Sequence, residues 1–254
     1  MLSMQVVDSI CCFYMLTRKL IDVIINVYMP KELKRMSLIV IDGLDGSGKT
    51  TQFDIIKDIL SEKHIVKSIS FPDYDNQSSA LVKMYLNGEI SKNAADINAY
   101  AASSFYAVDR YANYKMMWEE NYNNGDLIFA SRYVSSNAIH QMVKLPEYEW
   151  DSYLEWLSDY EYEKLGLPKP DLVIFLDVPI EISQKLMSGR YDGDESKKDI
   201  HEANVSYLHS CRKSALYAAG KLGWNVLNCC DENGLLPIRT VTDKLMKIIN
   251  EVIE

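Results

Sequence analysis

The 254-residue chain is 48% hydrophobic and carries a net charge of −9, which suits one sizeable α/β domain with a real core. The acidic balance and the lack of a long basic block argue against a nucleic-acid-binding surface. Five cysteines (Cys11, Cys12, Cys211, Cys229 and Cys230) form neither a zinc pattern nor a disulfide framework, which favours core or loop thiols in a reducing cytoplasm.

Met1 to Pro30 is apolar but interrupted by Arg18, Lys19 and Asp22. The uncharged stretch Ser9 to Thr17 is too short to span a bilayer, and no basic start or small-residue cleavage site makes it a signal peptide. Two readings stand: an amphipathic helix docked on the protein or on a membrane surface, or an upstream extension with Met36 as the functional start. The second is favoured because Met36 directly precedes the first core strand. No stable membrane association is expected.

The domain proper is expected over residues 36–254. Leu38 to Ile41 reads as a short buried strand, and Thr51 to Leu60 as a helix with apolar Phe53, Ile55, Ile56, Ile59 and Leu60. A strand over Ile65 to Phe71 is broken by Pro72, and a helix over Ser79 to Leu86 stops at Asn87-Gly88. A long helix over Ala94 to Asn121 leads to a strand over Asp126 to Ala130. Helices follow over Ser135 to Val143 and Tyr148 to Leu165. Leu172 to Leu176 is a buried strand ending at Asp177, followed by a helix from Ile180 to Met187. Polar residues 188–198 read as a mobile lid, then a helix over Glu202 to Ala219, a final strand Trp224 to Leu227 and a final helix Leu235 to Ile253. Alternating strands and helices predict a mostly parallel sheet covered on both faces, with ligands at the carboxyl ends of its strands.

Between the first strand and first helix lies Gly43-Leu44-Asp45-Gly46-Ser47-Gly48-Lys49-Thr50, a phosphate-binding P-loop in the strand–loop–helix setting it requires. Its glycines let successive N–H groups point at an anion, and the helix start adds positive potential. Lys49 can reach the outer phosphates of a nucleotide, and the Thr50 hydroxyl can ligate magnesium. Asp45 is unusual so near phosphates. It would repel them unless it accepts hydrogen bonds from a sugar hydroxyl or an arginine, or caps the helix.

Four further positions carry candidate chemistry. Tyr106 and Arg110 share a helix face at i and i+4, suited to holding a flat base, although a half-buried tyrosine beside a surface arginine has the same spacing. Arg132 follows the third strand, where an arginine clamps phosphate or simply starts a helix on the surface. Arg190 lies between Gly189 and Gly193, either as a charge-neutralising residue on a closing loop or as part of a solvated stretch of mixed charge.

From about Met36 onward the ordered set resembles the thymidylate kinase family: Ile41-Asp42 with the P-loop through Thr51-Gln52, Phe71-Pro72, Ala107-Val108-Asp109-Arg110, Ser131-Arg132-Tyr133, Gln141, and Gly166 to Leu172. The resemblance implies a three-layer P-loop kinase fold with a five-stranded parallel sheet. It implies transfer of the γ-phosphoryl of ATP to dTMP with magnesium, and a homodimer. Gly43, Asp45, Gly46, Ser47, Gly48, Lys49, Thr50 and Thr51 would bind ATP, with Thr50 on the metal. Asp45, Phe71, Tyr106, Arg110, Arg132, His140 and Gln141 would bind the acceptor: Asp45 at the 3′-hydroxyl, Tyr106 stacking on the base, Arg110 on the thymine edge and Arg132 on the phosphate. Lys49, Arg190, Arg132 and Asp45 would be catalytic. Gly46 at a position where some members carry a catalytic arginine, with Arg190 in the lid, is similar to the bacterial arrangement. Ser131 replaces the family's usual acid, Tyr74 stands where many members have arginine, and His140 where a tyrosine is common. These departures keep two alternatives open: a kinase for another deoxynucleotide or deoxynucleoside, or a weakly catalytic nucleotide-binding regulator. A GTPase is not expected without an Asn-Lys-x-Asp signature, nor a motor ATPase without an Asp-Glu pair after a strand.

Overall fold

A computed structural model describes residues 37–93, 96–190, 205–232 and 234–253, with only the backbone described for 188–190. The expectations for residues 1–35 and for the lid beyond residue 190 lie outside these residues.

Strand β1 (Ser37–Gly43) is buried along its whole length, as expected of a strand covered on both faces. It runs into the P-loop and helix α1 (Lys49–Ser61). Then come β2 (Val66–Ser70), α2 (Ala80–Leu86) and α3 (Ala99–Asn113), the last continued by a π turn over Tyr114–Trp118 and by α4 (Glu119–Asn123). β3 (Leu127–Ser131) precedes α5 (Ser135–His140) and α6 (Trp150–Ser158), which widens into a π turn over Asp159–Lys164. β4 (Leu172–Asp177), α7 (Ile180–Arg190), α8 (Val205–Leu222), β5 (Asn225–Asn228) and α9 (Ile238–Ile253) complete the domain. The five strands pair in parallel in the order β2-β3-β1-β4-β5, which is the expected sheet.

Several expected boundaries move. The long helix starts at Ala99 rather than Ala94, because the Asn98 side chain caps it by accepting from the Ala101 amide at 2.8 Å. The segment taken as lid from Ser188 is helical through Arg190. The strand ending at Leu227 is not the last: Cys230–Asp231 (β6) and Gly234–Leu235 (β7) form a small antiparallel pair, which delays α9 to Ile238.

Packing follows the layers. One core, on one face of the sheet, gathers Leu38, Val40, Ile128 and Ala130 with Trp118, Tyr133, Tyr153 and Leu157. The other gathers Ile39, Ile41, Phe129 and Ile174 with Phe53, Ile56, Leu245 and Ile249 of α1 and α9. Alternate β1 residues therefore enter opposite cores, as the period-two pleat requires. Phe53 stacks on Phe129 with ring centroids 4.7 Å apart. This packing fixes the P-loop at the carboxyl edge of the central strand.

Candidate active site

Gly48 (φ 78°) takes the left-handed conformation at the N-cap of α1 and supplies no capping side chain. Asp45 is therefore not a helix cap. The open helix end leaves its first N–H groups for an anion. Gly46 (φ 75°) has no room for a side chain: an added Cβ would lie 2.5 Å from the Ser183 carbonyl oxygen and 2.9 Å from Met187 Cγ on α7. Gly43 packs tightly, with Ser47 Oγ 2.7 Å from an added Cβ, but lines neither cavity described below.

Arg132 is the one described non-glycine residue with positive φ, at 66°. Its amide bonds the Ile41 carbonyl at 3.0 Å, which turns the chain sharply off β3 beside the P-loop. A left-handed residue costs about 1–3 kcal/mol and persists only where its surroundings over-determine it. Here they do. Nη2 donates to Asp45 Oδ1 at 2.6 Å, and Nη1 lies 3.8 Å from Asp42 Oδ1. Nη1 also contacts His140 Nε2 at 3.0 Å. Arginine has no acceptor, so Nε2 accepts and that ring is neutral with its proton on Nδ1. Of the options open for Asp45, the arginine pairing is realised. Burial alone would raise the Asp45 pKa, but the charges of Arg132 and Lys49, with the Arg132 hydrogen bond, prevail and hold it at about 2.

On the strand beside Ser131, one residue past its partner Ile41, stands a buried carboxylate. Asp42, fully buried, accepts from Ser135 Oγ and Ser136 Oγ, both at 2.7 Å, and from the Gly43 amide at 2.8 Å. No motif in the sequence marks a role for it, although it stands directly before the P-loop.

Arg110 is not a surface arginine. It is 1% exposed and forms a bidentate pair with Glu161, Nε to Oε2 at 2.7 Å and Nη2 to Oε1 at 2.6 Å. Burial opposes its charge, but Glu161 more than compensates and raises its pKa. Tyr106 on the same helix meets Tyr85 edge-on at 6.4 Å, and its burial raises its phenol pKa strongly. Glu161, Asn137 and Tyr207 were not singled out from the sequence. Glu161 did leave a signal: it falls four residues after Leu157 in the apolar stripe Trp150, Tyr153, Leu154, Leu157.

Two cavities flank the P-loop. One, of about 330 Å³, brings together Asp45, Phe71, Tyr106, Arg110, Arg132, His140 and Gln141, with Tyr74 and Ser131 also on its wall. The Gln141 Oε1 there is buried without a partner among the described residues. The other, of about 460 Å³, is lined by Asp45 through Gln52 and by Met187 and Ile238. Asp45, Lys49 and Thr50 border both. Thr50 is exposed between them, so its hydroxyl fits a hard cation held mainly by phosphate oxygens. Among the described residues no cluster of three His, Cys, Asp or Glu would hold a metal alone.

A parallel sheet in this order, with a P-loop on its central strand and a cavity on each side of the loop lysine, defines a P-loop nucleotide kinase. Residues 41–232 match the family model for thymidylate kinase, and the chain belongs to that family. It is 29% identical to a thymidylate kinase of Mycobacterium tuberculosis over 191 residues, covering 74% of this chain and 87% of the relative. It is 30% identical to that of Caenorhabditis elegans over 166 residues, covering 61% and 69%. The structure of thymidylate kinase from Candida albicans shares the fold, with a TM-score of 0.65 at 24% identity, covering 86% of this chain and 93% of that one. The chain is thus a nucleoside monophosphate kinase, a transferase that draws its phosphoryl group from ATP.

Proposed function

We propose that this kinase converts dTMP to dTDP, with ATP in the cavity beside Met187 and Ile238 and dTMP in the cavity beside Tyr106 and Arg132. The observation that carries this is the shared border: Lys49 and Thr50 line both cavities, so a γ-phosphoryl group and an acceptor phosphate would meet there. The chemistry is in-line attack by an acceptor phosphate oxygen, accelerated by positioning and charge neutralisation. Lys49 and the N–H groups of the loop bind the β- and γ-phosphates. Arg132, preset by Asp45, holds the acceptor phosphate. The Asp45 carboxylate, ionised above about pH 2, also accepts from the 3′-hydroxyl. Tyr106 stacks on the base, Arg110 reads its edge, and Phe71, His140 and Gln141 close the pocket. Magnesium, when bound through Thr50, supplies charge neutralisation at the phosphate oxygens.

Gly46 supports the lid arrangement for the catalytic arginine. With Ser183 and Met187 against it, position 46 cannot carry a long side chain, so the neutralising cation has to come from elsewhere. Arg190 ends the helix that carries those two residues, which favours it, although its side chain lies outside those described.

A homodimer is supported by exposed apolar side chains on neighbouring elements: Leu81 and Met84 on α2, and Val108, Tyr111, Met116 and Met117 on α3 and its π turn. A cytoplasmic location is supported by the free thiols of Cys211, Cys229 and Cys230. No helix among the described residues is long and apolar enough to cross a membrane.

The test is a coupled ADP-release assay with ATP, magnesium and a panel of nucleoside monophosphates. Turnover of dTMP well above the others is expected, and none above background would end this reading. The same panel addresses the alternatives of another acceptor or little catalysis, for which the relatives give no support.

A further inference from the structure

We propose that Glu161 sets the acceptor-base selectivity of this kinase by holding Arg110 and Asn137 in fixed orientations at the wall of the acceptor cavity. The inference rests on the dTMP reading above and adds a residue that does not itself line the cavity.

A guanidinium presents its donors in one rigid plane. Glu161 takes the Nε and Nη2 edge of Arg110 from behind, which leaves Nη1 without a hydrogen-bond partner among the described residues while Arg110 borders the cavity. The same carboxylate accepts from Asn137 Nδ2 at 2.9 Å, and that nitrogen also donates to the Ser103 carbonyl at 3.2 Å. With its amide nitrogen occupied, Asn137 has its Oδ1 left as an acceptor, and it too lines the cavity. One buried carboxylate thereby orients a donor and an acceptor on the same wall. That pair complements a pyrimidine ring with a carbonyl beside an N–H, as in thymine. Cytosine, with an amino group beside a bare ring nitrogen, presents the reverse.

Placement argues against a purely structural pair. Glu161 is fully buried at a position where the stripe of α6 calls for an apolar side chain. It lies in a π turn, a feature that recurs at functional sites. An apolar residue there would pack, but would leave the Arg110 guanidinium buried and unpaired.

The experiment measures steady-state kinetics of the full chain with dTMP and dCMP, for wild type, Glu161→Gln, Arg110→Met and both together. Glu161→Gln is expected to raise the KM for dTMP and to narrow the dTMP preference over dCMP, each about tenfold or more. The KM for ATP should stay within about twofold. Adding Glu161→Gln to Arg110→Met should cost less than the product of the two single losses, because only the hold on Asn137 is left to lose. Unchanged selectivity, or losses that multiply, overturns the proposal. Should Glu161→Gln fail to fold, the pair Arg110→Met with Glu161→Met removes both buried charges together. That protein should fold by circular dichroism and bind dTMP and dCMP alike in calorimetry; a retained preference also overturns the proposal. Absence of wild-type dTMP turnover sinks the function reading instead, and the preference in equilibrium binding still decides the role of Glu161.

Discussion

Arg132 draws together the polar groups of the cavity beside the P-loop. Its strained backbone and its contacts with Asp45, His140 and Asp42 hold a planar cation beside the P-loop before any phosphate arrives. Lysine cannot reproduce that fork. Arg132→Lys should lose about 1.5–3 kcal/mol of phosphate binding, seen as a KM for dTMP raised roughly ten- to a hundredfold with the KM for ATP nearly unchanged. Asp45 makes a separate prediction. Its folded pKa of about 2 lies below the ordinary aspartate value of about 3.9. The stability it contributes is therefore present above about pH 4 and is lost as pH falls toward 2. Urea denaturation across that range should show a steeper acid loss for wild type than for Asp45→Asn. Equal slopes would mean that the ion pair does not persist in solution.

Helix starts and helix-to-sheet packing position these residues. The Asn98 cap sets where α3 begins, and α3 carries Tyr106 and Arg110 to the cavity. Asn98→Ala should cost about 1 kcal/mol in chemical denaturation while leaving the helix register, and hence the KM for dTMP, close to wild type. Phe53 joins α1 to β3 through its stack on Phe129. Phe53→Ala should cost about 3–5 kcal/mol and lower the melting temperature markedly. Both π turns, Tyr114–Trp118 and Asp159–Lys164, fall inside stretches that read as uninterrupted helix, because a widened turn changes hydrogen bonding without breaking the helical pattern. The lid boundary erred for a related reason: the polar, glycine-containing Ser188 to Arg190 reads as loop, but α7 carries on through it.

Across the molecule, the parallel sheet order places the P-loop between two cavities that share Asp45, Lys49 and Thr50 as their border, where the proposed donor and acceptor would meet. Lys49→Ala should reduce kcat by about a hundredfold or more while dTMP alone still binds in calorimetry, since Tyr106, Arg110 and Arg132 remain. Loss of dTMP binding in that variant would place the acceptor elsewhere.

The amino-acid order alone determined the fold and the position of the P-loop, because both are local. Buried strand runs, helix periodicity and a glycine loop are written in short consecutive stretches such as Leu38 to Thr50. What neighbours do to one another over long separations came only with the folded chain. Asp45 and Arg132 are 87 residues apart, and Arg110 and Glu161 are 51 apart. Spacing along a helix gave no way to choose between a surface arginine and a buried, paired one. Only packing brings a partner carboxylate into reach, and only burial makes that pairing obligatory. The P-loop lysine could be named from eight residues, whereas the orientation of Arg110 and Asn137 at the cavity wall depends on a carboxylate delivered from another helix.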